Sequence, residues 1–302
     1  DELAGAFNRK AEEFNLIVKS GRTHLQDAAP IRLGQEFSGY ADSVSKSVER
    51  IENAGASLYE LGIGGTAVGT GLNTHPDYTK RIIKELQDLT SLPVRSATNR
   101  FEAMQSNASI AEVSGSIKVF AVELIRIAND LRLLSSGPKT GLDEINLPAV
   151  QPGSSIMPAK VNPVMAEMLT MVCFSVIGND LTVTMASQAG QLELNVMMPV
   201  MQYKLLDSIS IITNALKVFI SKCVNGITAN KERCYQYAVN SFAIVTALNP
   251  YIGYSNAAEV AKESRLTGKS LKEVILKRGL MSGEKLDEIL SPESMTQPGV
   301  PH

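Results

Sequence analysis

Residues 34–61, GQEFSGYADSVSKSVERIENAGASLYEL, set Phe37, Tyr40, Val44, Val48, Ile51, Ala54, Leu58 and Leu61 three or four positions apart throughout. Residues so spaced share one stripe of an α-helix, whereas a strand alternates its faces every second residue. The stretch therefore predicts one long helix over about 34–61 with a heptad-like seam. The same period returns from about 103 to 135, through Met104, Ile110, Val113, Ile117, Phe120, Leu124, Ile127, Leu131 and Leu134. It stops at the breaker Ser135-Ser136-Gly137-Pro138. At 1.5 Å per residue a helix of that size spans about 50 Å.

Two further helices follow. Pro163 suits a first helical turn, and Met168, Val172, Phe174, Val176, Leu181 and Met185 carry the pattern on toward Gly190. Residues 194–223 are apolar nearly all round, which predicts a helix buried on every side, with Pro199 kinking it or marking its first turn. Residues 2–19 read as a helix already in progress. Neither an alternating strand, a βαβ rhythm nor an internal repeat stands out. Beyond Asn249-Pro250 the helices shorten. Ser270-Leu271-Lys272-Glu273 is a capping box, and Gly279 stands where a helix should stop. The expected architecture is all-α: a long-helix bundle over 1–248 and a small helical domain over 249–302. Its apolar surface exceeds what one chain can cover, so other subunits are expected to complete the bundle.

Composition narrows the function classes. The chain has 302 residues, 44% hydrophobic, 20% charged and 5% aromatic, with a formal net charge of −2. Such a mixture suits a packed core and offers no basic stripe for nucleic acid. No uninterrupted apolar run reaches about 18 residues, so no membrane span is expected. Asp1-Glu2-Leu3-Ala4 has no resemblance to a secretory leader. Cys173, Cys223 and Cys234 are odd in number and lack CxxC spacing. No disulfide framework or zinc site is expected, and a reducing cytoplasm is the simplest setting. His24, His75 and His302 are too few and scattered for a histidine metal site, so no metal is expected. A start on Asp, inside a helix, leads us to expect an absent N-terminal part.

Three segments carry chemistry. Gly21-Arg22-Thr23-His24-Leu25-Gln26-Asp27 concentrates a hydroxyl, an imidazole, an amide and both signs of charge; alone it reads equally as a polar turn. Gly62–Asn73, GIGGTAVGTGLN, formally contains GxGxxA, but a long helix precedes it. Tight turning and close backbone approach explain its glycines better than a dinucleotide does. Gly153-Ser154-Ser155-Ile156-Met157-Pro158-Ala159-Lys160-Val161-Asn162-Pro163 brings two hydroxyls, a cation and an amide to a helix N-terminus, a setting that favours an anion.

GSSIMPAKVNP at 153–163 closely resembles the signature loop of the aspartase/fumarase superfamily, and GRTHLQDA at 21–28 resembles its second block. GTAVGTGLN, ending at Asn73, and IGND at 177–180 extend the resemblance along the chain. It implies an all-helical homotetramer around a central helical bundle, each active site drawing on three subunits. The expected substrate is a small C4-dicarboxylate and the product fumarate, with no organic cofactor. Position by position, Ser154 resembles the catalytic base on a mobile loop. Lys160 and Asn162, joined by Ser155, resemble substrate-carboxylate contacts. Thr23 and His24 resemble further substrate contacts, and Glu167 the acidic partner of that histidine. Removing a proton next to a carboxylate loads charge onto that carboxylate, and cationic and N–H donors are what such charge requires.

Two branches of the superfamily compete. Gly64-Gly65-Thr66-Ala67 and Glu36-Phe37-Ser38-Gly39-Tyr40 resemble the fumarases, which eliminate water from malate. Glu144-Ile145-Asn146-Leu147-Pro148, Gln151, Val164, Gly190-Gln191-Leu192, Asn195-Val196-Met197 and Asn225–Lys231 resemble the aspartases, which eliminate ammonia from aspartate; Met198 departs from them. The markers nearest the catalytic loop favour the aspartase branch. No counterpart of the superfamily's N-terminal region is present, so this chain alone is expected to be capable of assembly yet inactive. A non-catalytic helical scaffold is the reading from another class, against which the retained Ser154, Lys160, Asn162, His24 and Glu167 argue.

Overall fold

The computed structural model describes residues 1–158 and 160–300; Ala159 of the signature loop, Pro301 and His302 lie outside the described residues. Helices dominate. In chain order the longer elements are α1 (Glu2–Glu13), β1 (Val18–Thr23), β2 (Gln26–Arg32), α2 (Leu33–Gly55), β3 (Glu60–Leu61), α3 (Tyr78–Thr90), β4 (Arg95–Ser96), α4 (Arg100–Gln105) and α5 (Ala108–Leu134). They continue as β5 (Ile145–Asn146), α6 (Val164–Ser187), α7 (Met198–Lys222), β6 (Thr228–Ala229), α8 (Lys231–Asn240), α9 (Asn249–Ile252), α10 (Tyr254–Thr267), α11 (Leu271–Lys277) and α12 (Gly283–Ile289). The chain divides into two compact units. Asp1–Ala4, Asp42–Arg132 and Val150–Cys223 form the first; Gly5–Ala41, Leu133–Ala149 and the chain from Val224 onward form the second.

The first unit is built on α5, α6 and α7. The spacing read along α5 is the spacing of its buried face: Val113, Ile117, Phe120, Leu124, Ile127 and Leu131 are all enclosed. From α6 come Leu169, Cys173, Val176 and Val183, and from α7 Met201, Ile212, Ala215 and Phe219. A polar layer crosses this apolar interior. Asp180 accepts from the Ser114 hydroxyl at 2.8 Å and from Lys118 at 2.6 Å, while Asn179 donates to Asp207 at 2.9 Å and to Ser208 at 3.1 Å. Among the described residues, α6 is long and apolar enough to cross a membrane by length and composition, with a mean hydropathy of 1.4 over its best window. Its satisfied Asn179 and Asp180, and its packing along α7, are those of a bundle helix.

The second unit encloses an aromatic group of Phe7, Phe14, Phe37 and Tyr40, with Phe14 and Phe37 edge to face at 5.1 Å. A further core of Ile244, Leu248, Val260, Leu271, Val274, Ile275, Leu286 and Ile289 joins the short C-terminal helices. The capping box is formed: the Ser270 hydroxyl accepts the Glu273 N–H, and the Glu273 carboxylate accepts the Ser270 N–H. Gly279, at φ 66°, follows the end of α11.

Several expectations need correction. Residues 2–19 are not one helix, because α1 ends at Glu13 and the chain enters β1 at Val18. Short strands do occur: the described residues include three two-stranded sheets, of which β1–β2 is an antiparallel hairpin. The helix expected over 34–61 ends at Gly55, a poor helix former, and passes through a 3-10 turn into β3. The helix expected over 103–135 is broken at Ser106, whose extended backbone ends α4 and whose hydroxyl accepts the Ala108 N–H opening α5. The last long helix begins at Met198, with Pro199 in its first turn. It is not buried on every side, since Tyr203, Leu206 and Ile209 are exposed in the single chain. On α6, Met171, Phe174 and Leu181 stand at 60–63% exposure.

Candidate active site

The signature loop belongs to the first unit, between Val150 and the start of α6. Asn162 Nδ2 donates to the Gly153 carbonyl at 2.6 Å, drawing the two ends of the loop together. Gly153 permits this approach, because a Cβ there would lie 1.4 Å from the Lys160 carbonyl oxygen. Within the loop, the Ser154 hydroxyl oxygen accepts the backbone N–H of Ile156 at 3.3 Å and of Met157 at 3.1 Å. Two N–H dipoles aimed at one oxygen favour negative charge there. Ser155 and Lys160 are exposed. Asn162 has two amide N–H groups, of which one donates to Gly153. Glu167, in the first turn of α6, faces Arg132 at 3.7 Å, so its described ionic partner is an arginine within the same unit.

The GRTHLQDA segment lies in the second unit as the β1–β2 hairpin, with Thr23 paired to Gln26 and His24-Leu25 forming the two-residue turn. Both turn residues have positive φ, 54° and 60°. A tight hairpin turn of that hand normally uses Asn or Gly, since a Cβ there costs about 1–2 kcal/mol per residue. A bulge interrupts the register between Ser20 and Arg22, and a Cβ on Gly21 would approach the Ala29 carbonyl to 2.6 Å. Thr23 and His24 are exposed at the tip. A strained, solvent-facing imidazole beside a hydroxyl is a geometry suited to ligand contact.

Behind that tip lies a group that reading by residue type passed over. Lys19, with a side chain only 2% exposed, contacts Glu36 and Glu144 at 2.9 Å each. Arg22 contacts the fully buried Glu144 at 2.8 Å. Isolated Lys and Glu read as surface residues. Their one signal here was position: Lys19 follows the enclosed pair Ile17-Val18, and Glu144 precedes Ile145 directly.

The glycine-rich segment Gly62–Asn73 folds within the first unit against α3 and α4. Gly64 (φ 91°), Gly69 (φ 110°) and Gly71 (φ 74°) take conformations that favour glycine. A Cβ on Gly64 would strike the Thr79 hydroxyl at 2.2 Å. Two-residue β3 and β4 pair in parallel around α3, a rudimentary crossover that the sequence did not announce. The helix starts at Tyr78, well past the glycines, so its N-terminus does not continue from them as a dinucleotide fold requires. Cys173, Cys223 and Cys234 are enclosed, and burial pushes each thiol up to about 12, the profile of inert core thiols.

Comparison with known proteins places this arrangement among relatives. A family model described as "Lyase" matches residues 1–178, and one described as "Fumarase C C-terminus" matches residues 244–297. An aspartate ammonia-lyase of Bacillus subtilis is 49% identical over 300 residues, which is 99% of this chain and 63% of that protein. An aspartate ammonia-lyase of Helicobacter pylori is 51% identical over 296 residues, 98% of this chain and 63% of that protein. The chain thus spans about 63% of the length of these curated relatives. Among solved structures, a class II fumarase from Schistosoma mansoni superposes with a TM-score of 0.94 at 38% identity, covering 97% of this chain and 64% of that one. A fumarate lyase:delta crystallin from Brucella melitensis, bound to cobalt, superposes with a TM-score of 0.94 at 45% identity, covering 98% and 64%.

Proposed function

This chain belongs to the aspartase/fumarase superfamily, and we propose that its reaction is the elimination of ammonia from L-aspartate to give fumarate. The observation that carries the reading is the pair of N–H donors on the Ser154 oxygen. A serine hydroxyl is a poor base until its alkoxide is stabilised, and backbone donors do this without adding a competing proton carrier.

In this reading the Ser154 alkoxide takes a proton from Cβ of the substrate. The electron pair left behind moves into the neighbouring carboxylate, producing an aci-carboxylate dianion. Lys160, the Asn162 amide and the Ser155 hydroxyl receive that charge. As the dianion collapses, the carbon–nitrogen bond breaks, ammonia leaves and the double bond of fumarate forms. Thr23 and His24, on a hairpin tip supplied by another subunit, contact the substrate, and Glu167 is the acidic partner of that histidine. The site is completed in a homotetramer, where the exposed apolar faces of α6 and α7 are covered by their counterparts. The proposal also assigns residues 249–302 to a small C-terminal domain of their own and places the enzyme in the cytoplasm. Identities of 49% and 51% to aspartate ammonia-lyases favour aspartate over malate.

The test follows fumarate by its ultraviolet absorbance, with L-aspartate and L-malate supplied separately to the intact protein. Fumarate from aspartate alone supports the proposal. Fumarate from malate alone replaces it with a hydratase. Activity on neither, in a folded protein, leaves the non-catalytic scaffold.

A further inference from the structure

We propose that Glu144 is a positioning residue for the hairpin tip, acting through Arg22 and Lys19 on Thr23 and His24. The inference rests on the catalytic reading above. All five residues lie in the second unit.

Glu144 is the best-anchored residue of the group. Its N–H donates to the Leu134 carbonyl at 2.9 Å, and its own carbonyl accepts the Asn230 N–H at 2.9 Å. The Cys234 thiol also donates to that carbonyl, at 3.5 Å, and the next two residues form β5, paired to β6. The backbone is therefore held from three directions before the side chain does anything. Its carboxylate divides its work. Oε1 accepts from Arg22 at 2.8 Å, whereas Oε2 meets the Lys19 ammonium at 2.9 Å as a charge contact without a well-formed hydrogen bond. Lys19 donates one hydrogen bond to Glu36 on α2, at 2.9 Å. The Arg22 guanidinium also lies over the Tyr237 ring, 5.3 Å from its centroid, and Arg233 shares that ring at 4.7 Å.

The outcome is a charge-balanced group, two cations against two carboxylates, clamped to β1 on the residue directly before Thr23. A two-stranded hairpin is marginally stable by itself, and this one holds two non-glycine residues at positive φ in its turn. Bonds within the hairpin do not over-determine such a tip; a fixed carboxylate gripping its root does. Losing the Glu144 charge leaves Arg22 without its carboxylate and Lys19 with Glu36 alone, and the root loosens.

The experiment compares wild-type and Glu144→Gln in the intact protein. It measures hydrogen exchange of the Val18–Arg32 amides, with the α10 amides as an internal reference, and kcat/KM for L-aspartate. The expected result is faster exchange confined to the hairpin together with a fall in kcat/KM of about tenfold to 100-fold, the usual penalty of misplaced contact groups. A folded Glu144→Gln protein whose kcat/KM stays within about twofold of wild-type overturns the proposal, whatever its hairpin exchange, because the clamp would then be structural only. Should wild-type release fumarate from neither L-aspartate nor L-malate, the catalytic reading falls by itself. Hairpin exchange then decides the clamp: faster exchange in the variant supports it and unchanged exchange overturns it. If Glu144→Gln does not fold, Arg22→Gln takes its place and Arg22→Lys, which restores the charge, is expected to recover most of the lost kcat/KM. Equal activity of the two Arg22 variants overturns the proposal.

Discussion

Asn162 closes the signature loop on Gly153: its side-chain amide donates to the Gly153 carbonyl at 2.6 Å, and nothing larger than hydrogen fits on the Gly153 Cα. The residue that resembles a substrate ligand is therefore also the latch of the loop that carries Ser154, the proposed base. Under the proposed mechanism, closure and substrate binding would share one side chain, so the charge-developing step would be admitted only when the loop is in place.

Replacing Gly153 by alanine should separate these roles. The added methyl collides with the Lys160 carbonyl and forces the loop open, leaving the bundle cores untouched. We expect kcat/KM to fall about 100-fold, as for a small misplacement of reacting groups, with an unchanged melting temperature. Steady-state kinetics beside a thermal melt checks both, and a large drop in melting temperature would refute the local account.

Ser154→Ala removes the oxygen that the Ile156 and Met157 N–H groups address. General-base losses run to about 10²–10⁴-fold, so kcat should fall by that order while KM for L-aspartate shifts only a few-fold. Ser155→Ala, on an exposed neighbour, should cost far less. Equal losses from the two serines would remove Ser154 from its role.

At the hairpin, Leu25→Gly should stabilise the protein. Leu25 is 68% exposed and sits at φ 60°, so glycine forfeits little burial while relieving about 1 kcal/mol of left-handed strain. Urea unfolding measures the difference; a destabilised variant would mean that the exposed leucine is covered in the assembly.

The cysteines give a pH prediction whose sign is fixed. Burial holds each thiol protonated up to about 12 in the fold, against an ordinary value of 9.0. The unfolded chain therefore releases these protons first, and stability drops as pH climbs from 9 toward 12. In native protein at neutral pH, Cys173, Cys223 and Cys234 should resist a thiol reagent and react in full once denatured. Rapid labelling of any one in the native state would contradict its burial.

The long helices were legible because their apolar residues recur every three or four positions, and α5 buries the side chains this period selects. The hairpin was hidden for equally physical reasons. Its turn is His24-Leu25, without the Asn or Gly that announces a tight turn, and a bulge at Gly21 spoils the alternation of β1. Helix ends were missed where a single local choice decides them, such as the Ser106 hydroxyl that stops one helix and starts the next. Motif resemblance supplied the candidate residues of the site, Thr23, His24, Ser154, Ser155, Lys160, Asn162 and Glu167. The buried Lys19–Glu144 pair behind the hairpin depends on a contact between residues far apart in the chain, which no local pattern encodes.

The polar layer of Ser114, Lys118, Asn179, Asp180, Asp207 and Ser208 has a consequence for how the bundle can vary. Apolar helices can slide along one another by a turn and find nearly equivalent packing. Here such a slip would strand the Asp180 carboxylate in hydrocarbon, so the layer acts as a vernier that admits a single axial offset between the helices. Drift at Asp180 is tolerable only if Lys118 and Ser114 change with it; replaced piecemeal, the group would trade one well-defined bundle for several misaligned ones.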